Sequence, residues 1–89
     1  MNTIHKFLID AWNETVLELP AGFKVRMVAR TITENKKTTW MWVQLDTSSP
    51  TRLVRFYIVG TGHPIPEGVE YCGTYFETPF VWHLFYREV

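Results

Sequence analysis

The segment Val59-Gly60-Thr61-Gly62-His63-Pro64-Ile65-Pro66 divides the second half of the chain into runs of strand-forming, aromatic-rich sequence. Glycine frees the backbone for positive φ values, and proline cannot donate a hydrogen bond to a neighbouring strand, so this segment interrupts a β-sheet. The residues on both sides alternate between two faces or are apolar on both. Three strands are predicted around the segment: Arg52–Val59, Val69–Glu77 and Phe80–Tyr86. Gly73, inside the second of them, indicates a bulge or a close backbone approach.

The first half of the chain has the same character, with short apolar runs separated by polar turns. Four further strands are predicted: Ile4–Ile9, Thr15–Leu19, Phe23–Thr33 and Thr38–Asp46. The first two are expected to form a hairpin. A helix is hard to place beyond one short turn, around Asp10–Glu14 or within Pro64–Glu67. We predict a single β domain over residues 1–89, all-β, built as a small antiparallel barrel or sandwich of about six or seven strands with little helix.

The strand Thr38–Asp46 has large apolar side chains on both faces. Trp40, Trp42 and Gln44 share one face, and Met41, Val43 and Leu45 share the other. A strand of this kind is covered twice, once by the core and once by a ligand or a second subunit. The whole sequence is 46% hydrophobic and 16% aromatic, which is more than one small core can hide. We therefore expect a homo-oligomer, whose interface or pocket accommodates the remaining rings.

Charge and cysteine content exclude several classes of function. Nine Lys and Arg residues balance nine Asp and Glu residues, and this neutrality argues against non-specific nucleic-acid binding, although it does not exclude a local basic patch. The single Cys72 forms no intrachain disulfide and does not supply a sulfur-based zinc site, so we predict no metal and no cofactor.

No apolar run is long enough for a membrane helix, and Met1–Ala11 lacks the order of a signal peptide. A cytoplasmic location is expected.

The glycine-rich segment is also the first candidate for chemistry. Gly60, Thr61, Gly62 and His63 combine backbone N–H groups that could cradle an anion with a hydroxyl and an imidazole. The competing and favoured interpretation is a tight connection that needs glycine for its geometry. His83 lies in an apolar strand, where a structural role is commoner than a catalytic one. No pair of carboxylates and no nucleophile–base order stands out, so the protein is predicted not to be an enzyme.

Arginine and aromatic residues form the second candidate, since arginine binds phosphate and Trp or Tyr stacks on purines. Arg26 and Arg30 share strand parity, which would place them on one face. The competing interpretation is a solvated face above a packed core. The predicted ligand-binding residues are Arg26, Arg30, Trp42, Arg55, Tyr57, Gly60, Thr61, Gly62, His63, Trp82 and His83.

Several segments together resemble a family of small phage-encoded proteins of unassigned function. They are Leu19-Pro20-Ala21-Gly22, a Trp-bearing strand, Val59–Pro66 with its Gly-Thr-Gly-His sequence, Cys72-Gly73-Thr74, and Pro79–Phe85 with its Val-Trp-His-Leu-Phe sequence. The resemblance covers most of the chain and carries over no catalytic residue. It implies a phage or prophage origin and an accessory factor in the host cytoplasm that counters host defence.

Two kinds of such factor fit the residues. The first, favoured by the arginine–aromatic set and the glycine segment, is a sponge that sequesters a small phosphorylated nucleotide immune signal in the pocket of an oligomer. The second is an inhibitor that binds a host defence protein directly, as anti-CRISPR proteins do. A small structural protein of the virion and, last, a hydrolase using His63 or His83 complete the alternatives.

Overall fold

The computed structural model describes residues 1–9 and 14–89, and within them the chain forms seven β-strands and no helix. The strands are β1 (Asn2–Ile9), β2 (Thr15–Pro20), β3 (Lys24–Thr33), β4 (Lys36–Asp46), β5 (Thr51–Gly60), β6 (Glu70–Glu77) and β7 (Phe80–Glu88). The all-β prediction is confirmed. The helical turn predicted within Pro64–Glu67 is wrong, because these residues form an irregular connection. Most of the alternative, Asp10–Glu14, lies outside the described residues.

The strands form two antiparallel sheets that pack face to face as a small sandwich. One sheet has the order β1-β4-β3 and the other the order β2-β5-β7-β6. The predicted hairpin of the first two strands is wrong. β1 pairs with β4, with Phe7 opposite Met41, whereas β2 pairs with β5 in the other sheet. Each of the two strands thereby pairs along one edge of a longer strand and satisfies backbone groups of that edge.

Alternate residues of the central strands supply the core between the sheets. In β4 the buried residues are Met41, Val43 and Leu45, while Trp40, Trp42 and Gln44 face outward. In β5, Val54 and Phe56 are buried and Ile58 packs against them. The predicted alternation of β4 is confirmed, whereas in β5 Tyr57 and Val59, which point to the opposite side, are buried as well. The largest fully buried side chains are Phe56, Leu19, Met41, Leu84, Val43 and Val54.

Two β-bulges change which face a residue occupies. A register shift between Val25 and Met27 places both Val25 and Val28 toward the core. It also separates Arg26 from Arg30, so the prediction that these two arginines share a face is wrong. A second shift lies between Tyr71 and Gly73 in β6. A Cβ atom at Gly73 would lie 2.6 Å from Val28 Cγ2, so the close approach predicted for this glycine is confirmed.

Candidate functional site

The glycine-rich segment forms a tight turn at the end of β5. The His63 backbone N–H donates to Gly60 O at 3.0 Å, and Gly62 has a φ of 89°, a value that favours glycine. The Thr61 backbone N–H donates to Val81 O at 3.3 Å, which fastens the turn to β7. The sequence therefore needs its glycine here for geometry, as the favoured interpretation of the segment requires. The same geometry brings the turn against the aromatic start of β7.

This turn and the start of β7 enclose a cleft of about 370 Å³, here called the Gly60 cleft. Its lining residues are Gly60, Thr61, His63, Pro79, Phe80, Val81 and Trp82. The ring centroids of Phe80 and Trp82 lie 6.0 Å apart with a tilt of 33°. A Cβ atom at Gly60 would lie 3.1 Å from Trp82 Cζ3, so glycine lets the indole lie close to the turn. The size is typical of a small-molecule pocket, which ranges from about 300 to 1,000 Å³.

His83 lies on the outward side of β7 and takes part in a chain of side-chain hydrogen bonds, here called the imidazole–hydroxyl chain. His83 Nε2 is 2.9 Å from Thr61 Oγ1, and Nδ1 is 3.1 Å from Thr74 Oγ1. The Tyr71 hydroxyl lies 2.5 Å from Thr74 Oγ1 and extends the chain to the sheet surface. Both ring nitrogens are thus engaged by hydroxyls of this chain, which is the arrangement of a satisfied structural histidine. It also holds Thr61, a lining residue of the Gly60 cleft.

Arg55 and Tyr57 lie on the same outward side of the four-stranded sheet as His83, further along β5. Arg55 Nε is 3.5 Å from Glu14 Oε2. Tyr57 is opposite Phe85 in the register, and the Arg87 guanidinium lies 5.4 Å from its ring centroid. The structure therefore places these two residues on the outer side of the four-stranded sheet, and neither lines the Gly60 cleft.

Arg30 lies between the sheets, where its guanidinium pairs with Glu77 and Nη1 donates to Thr39 Oγ1 at 3.2 Å. Its side chain is only 7% exposed. Burial raises the pKa of the neighbouring Tyr75 hydroxyl above its ordinary value. Arg30 is thus committed to a buried polar cluster.

Arg26 and Trp42 lie together on the outer side of the three-stranded sheet, far from the turn in the register. Arg26 Nε donates to Gln44 Oε1 at 2.8 Å, and Trp42 is opposite Met27. The predicted ligand-binding residues therefore occupy four places: this outer side, the interior, the outer side of the other sheet, and the Gly60 cleft. Of these residues, Gly60, Thr61, His63 and Trp82 line the Gly60 cleft, with Gly62 in the same turn.

The outer side of the three-stranded sheet places Arg26 with three lysines that were not predicted as ligand-binding residues, Lys6, Lys24 and Lys36. We call it the basic face, and its members are Lys6, Lys24, Arg26, Lys36, Trp40 and Trp42. Lys6 pairs with Trp42 in the register, and its Nζ lies 4.3 Å from the centroid of Trp40. In the sequence, Lys6 has the same strand parity as Ile4 and Leu8, which indicates that the three side chains share a face. Which face this is, and that it lies beside Trp40 and Trp42, follows only from the pairing of β1 with β4.

A second cleft, of about 360 Å³, lies where β2 turns into β3, beside the end of β7. It is lined by Phe23, Glu70 and Tyr86, among others. The Tyr86 hydroxyl donates to Glu70 Oε2 at 2.7 Å, and this hydrogen bond to a carboxylate, with burial, raises the pKa of Tyr86 to about 12. None of the predicted ligand-binding residues lines it.

Over residues 1–9 and 14–89, no cluster of three or more His, Cys, Asp or Glu side chains is placed to hold a metal ion. The half-buried Cys72 thiol has its pKa raised to about 12, because burial disfavours the thiolate. A helix with the length and apolar character needed to span a membrane is absent from the same residues.

The strand order and the cleft define a small two-sheet antiparallel β-sandwich with a turn-lined cavity at one end. The chain belongs to the family described as Domain of unknown function (DUF7352), whose family model matches residues 1–89. This description agrees with the expectation, from the sequence, of a family of unassigned function. Neither a curated protein nor a solved structure gives a significant match.

Proposed function

We propose that this protein is a non-enzymatic binding module that captures a small nucleotide-type ligand in the Gly60 cleft. The observation that carries the proposal is the pair of rings there: Phe80, 56% exposed, lies 6.0 Å from Trp82 beside the turn. Aromatic rings are suited to stacking on a nucleobase, with a contribution of about 1–3 kcal/mol per base. His63 and Thr61 supply polar groups at the rim, which would fix the orientation of the base.

The base, rather than the phosphate, is the better supported half of this ligand. The arginines of the chain already have partners: Arg30 pairs with Glu77, Arg55 with Glu14 and Arg52 with Glu88. Arg26 bonds Gln44, and Arg87 donates to Glu67 O at 3.2 Å. Because none of these arginines lines the cleft, a phosphate there would depend on backbone N–H groups of the turn, or on a cation from another subunit.

A second subunit is consistent with the outer side of the four-stranded sheet. Val16, Leu53, Tyr71 and Phe76 are 45–72% exposed on it, around the buried Tyr57 and Phe85. Apolar patches of this kind often mark protein interfaces. In the proposed setting, the protein is a phage or prophage accessory factor that acts as an oligomeric sponge for a nucleotide immune signal in the host cytoplasm.

The test is native mass spectrometry of protein purified gently from cells with an active nucleotide-signalling defence. A defined oligomer that retains a mass of a few hundred daltons is expected, with calorimetry on mono- and cyclic dinucleotides to identify the class. Phe80→Ala should weaken binding by roughly 5- to 150-fold, as expected for the loss of one stacking ring. The matched control is Ile32→Ala, which removes an exposed apolar side chain of β3, outside both the cleft and the apolar patch. A ligand-free wild-type protein that binds no nucleotide would refute the proposal.

The same apolar residues favour a second candidate, an inhibitor that binds a host defence protein directly through aromatic anchors. It predicts a ligand-free protein that captures one host protein stoichiometrically. That capture should be lost in Tyr71→Ser and kept in Phe80→Ala. Recovery of the protein in purified virus particles would instead favour a structural role.

A further inference from the structure

Four cationic side chains lie along the basic face, although the chain as a whole is neutral. Nine Lys and Arg residues are distributed over the sequence. Lys6 is opposite Trp42, Lys24 is opposite Gln44, and Lys36 is opposite Thr33. These positions face away from the core because the alternate residues of β4, such as Met41 and Val43, are the buried ones. Arg26 joins them through its hydrogen bond to Gln44.

Carboxylates are scarce on this face. Among the residues that the structure describes, the carboxylate on this side of the sheet is Asp46, the last residue of β4. Asp46 is occupied by the N-terminal ammonium at 3.0 Å and by the Ser48 hydroxyl at 2.7 Å. Glu34 lies beyond the sheet, in the β3–β4 turn. On the other sheet, by contrast, Arg55 has a carboxylate partner. The basic face therefore carries an excess of positive charge that a polyanion would neutralise.

Two indole rings lie among these cations. Trp40 and Trp42 are half-buried on the outer side of β4 and belong to no part of the core. Trp40 Nε1 donates to Thr38 Oγ1 at 3.0 Å, and the Lys6 ammonium lies over its ring, so this indole is held in a fixed orientation. Alternate residues of a strand lie about 6.7 Å apart, which makes the two rings separate platforms. Ile4, Leu8 and Met27, each more than half exposed, flank them.

We propose that the basic face binds single-stranded nucleic acid, with one base stacked on Trp42, a second on Trp40 in place of the Lys6 ammonium, and phosphates neutralised by Lys6, Lys24, Arg26 and Lys36. Flat sheet faces that combine aromatic rings with cations bind single strands in this way without strict sequence preference. The bases of a duplex are already stacked on each other and do not reach such rings, so a single strand is the preferred partner. This function is separate from that of the Gly60 cleft, whose lining residues belong to the other sheet and its turn.

Fluorescence anisotropy with labelled oligo(dT) and oligo(U) of about 12 nucleotides tests the proposal across a series of salt concentrations. Four neutralised phosphates predict a slope of log K against log salt of about −3, at about −0.7 per contact. Lys24→Gln and Lys36→Gln should each make the slope shallower by about 0.7. Trp42→Leu should weaken binding by about 5- to 150-fold and leave the slope unchanged. Binding should also quench tryptophan fluorescence.

Three controls complete the design. Arg52→Gln removes an exposed cation from the other sheet and should change neither affinity nor slope. Phe80→Ala should leave oligonucleotide binding intact, which separates this proposal from the one for the Gly60 cleft. Circular dichroism and thermal melting confirm that each variant is folded. Folded wild-type protein that binds neither oligonucleotide at low salt would overturn the proposal. So would equal binding of heparin and oligonucleotide with no effect of Trp42→Leu, because a polyanion site needs no stacking.

Discussion

His83 Nε2 lies 2.9 Å from Thr61 Oγ1, and this contact joins the glycine turn to the middle of the four-stranded sheet. The Thr61 hydroxyl also donates to Val81 O at 3.2 Å, which uses its one hydrogen. His83 Nε2–H is therefore the donor to Thr61, and in the neutral ring Nδ1 accepts from the Thr74 hydroxyl. For the neutral ring this arrangement corresponds to the Nε2–H tautomer.

A double-mutant cycle measures this contact. Thr61→Val and His83→Leu should each alter the free energy of unfolding, and their coupling energy should be about 1 kcal/mol, the typical net contribution of one hydrogen bond. Urea denaturation of the wild type, both single variants and the double variant gives the value. Additivity within about 0.3 kcal/mol would show that the contact contributes nothing.

Because the Arg30–Glu77 ion pair is buried and the Arg52–Glu88 pair is exposed, removing Glu77 should destabilise the protein much more than removing Glu88. Glu77→Ala should lower the free energy of unfolding by about 3 kcal/mol, because it leaves a buried guanidinium without its carboxylate. Glu88→Ala breaks an ion pair with Arg52 whose side chains are 57% and 60% exposed, and should cost less than about 1 kcal/mol. Chemical denaturation compares the two variants, and equal losses would contradict the prediction.

The contact of Gly73 with Val28 predicts a rescue. Gly73→Ala should destabilise the protein by about 1–3 kcal/mol, because the new methyl group meets Val28 Cγ2 at 2.6 Å. Adding Val28→Ala should recover part of that loss. Gly22→Ala is the matched control: Gly22 has a φ of 82°, and a Cβ atom there would meet nothing within 4 Å, so its cost is backbone strain that Val28→Ala leaves unchanged. Thermal melts of the single and double variants decide between rescue and simple additivity.

Asp46 predicts a specific acid sensitivity. Hydrogen bonds from the Ser48 hydroxyl and backbone N–H, followed by the N-terminal ammonium, lower the pKa of Asp46 from 3.8 to about 2. Because the folded-state pKa is depressed, its stabilising contribution is present above about pH 4 and is lost as the pH falls toward about 2. Asp46→Asn should therefore lose less stability than the wild type over that interval. Urea midpoints at several pH values test this, and parallel curves would refute it.

The sequence was most informative where burial alternates within a single strand. Trp40 and Met41 point to opposite sides of β4, as their alternation predicts, because a strand's side-chain period depends on local geometry alone. The glycine turn was also recognisable, and Gly60 comes to lie opposite Trp82 as neighbours in one sheet. The pairing of Gly60 with Trp82 brings together the predicted site residues that line the Gly60 cleft.

The positions of the other predicted site residues depend on how the strands pair and on where a bulge shifts the register. The bulge after Val25 moved Arg30 to the interior, since one extra residue inverts every later side chain. The pairing of β1 with β4 places Lys6 beside Trp40, although these residues are far apart in sequence. Neither register nor bulge has a clear signal in one sequence, so the basic face was not predicted.

The strand order also has a consequence for how quickly the molecule forms. Asn2 pairs with Asp46 and Thr15 with Phe56, so both early strands wait for partners synthesised much later. Closing such long loops comes before the contacts that reward it, and folds of this kind reach the native state in about milliseconds to seconds. During translation, β1 therefore remains unpaired until β4 has emerged, and β2 until β5 has emerged. Slower synthesis at reduced temperature should raise the soluble yield, because each unpaired apolar strand is then exposed at lower concentration.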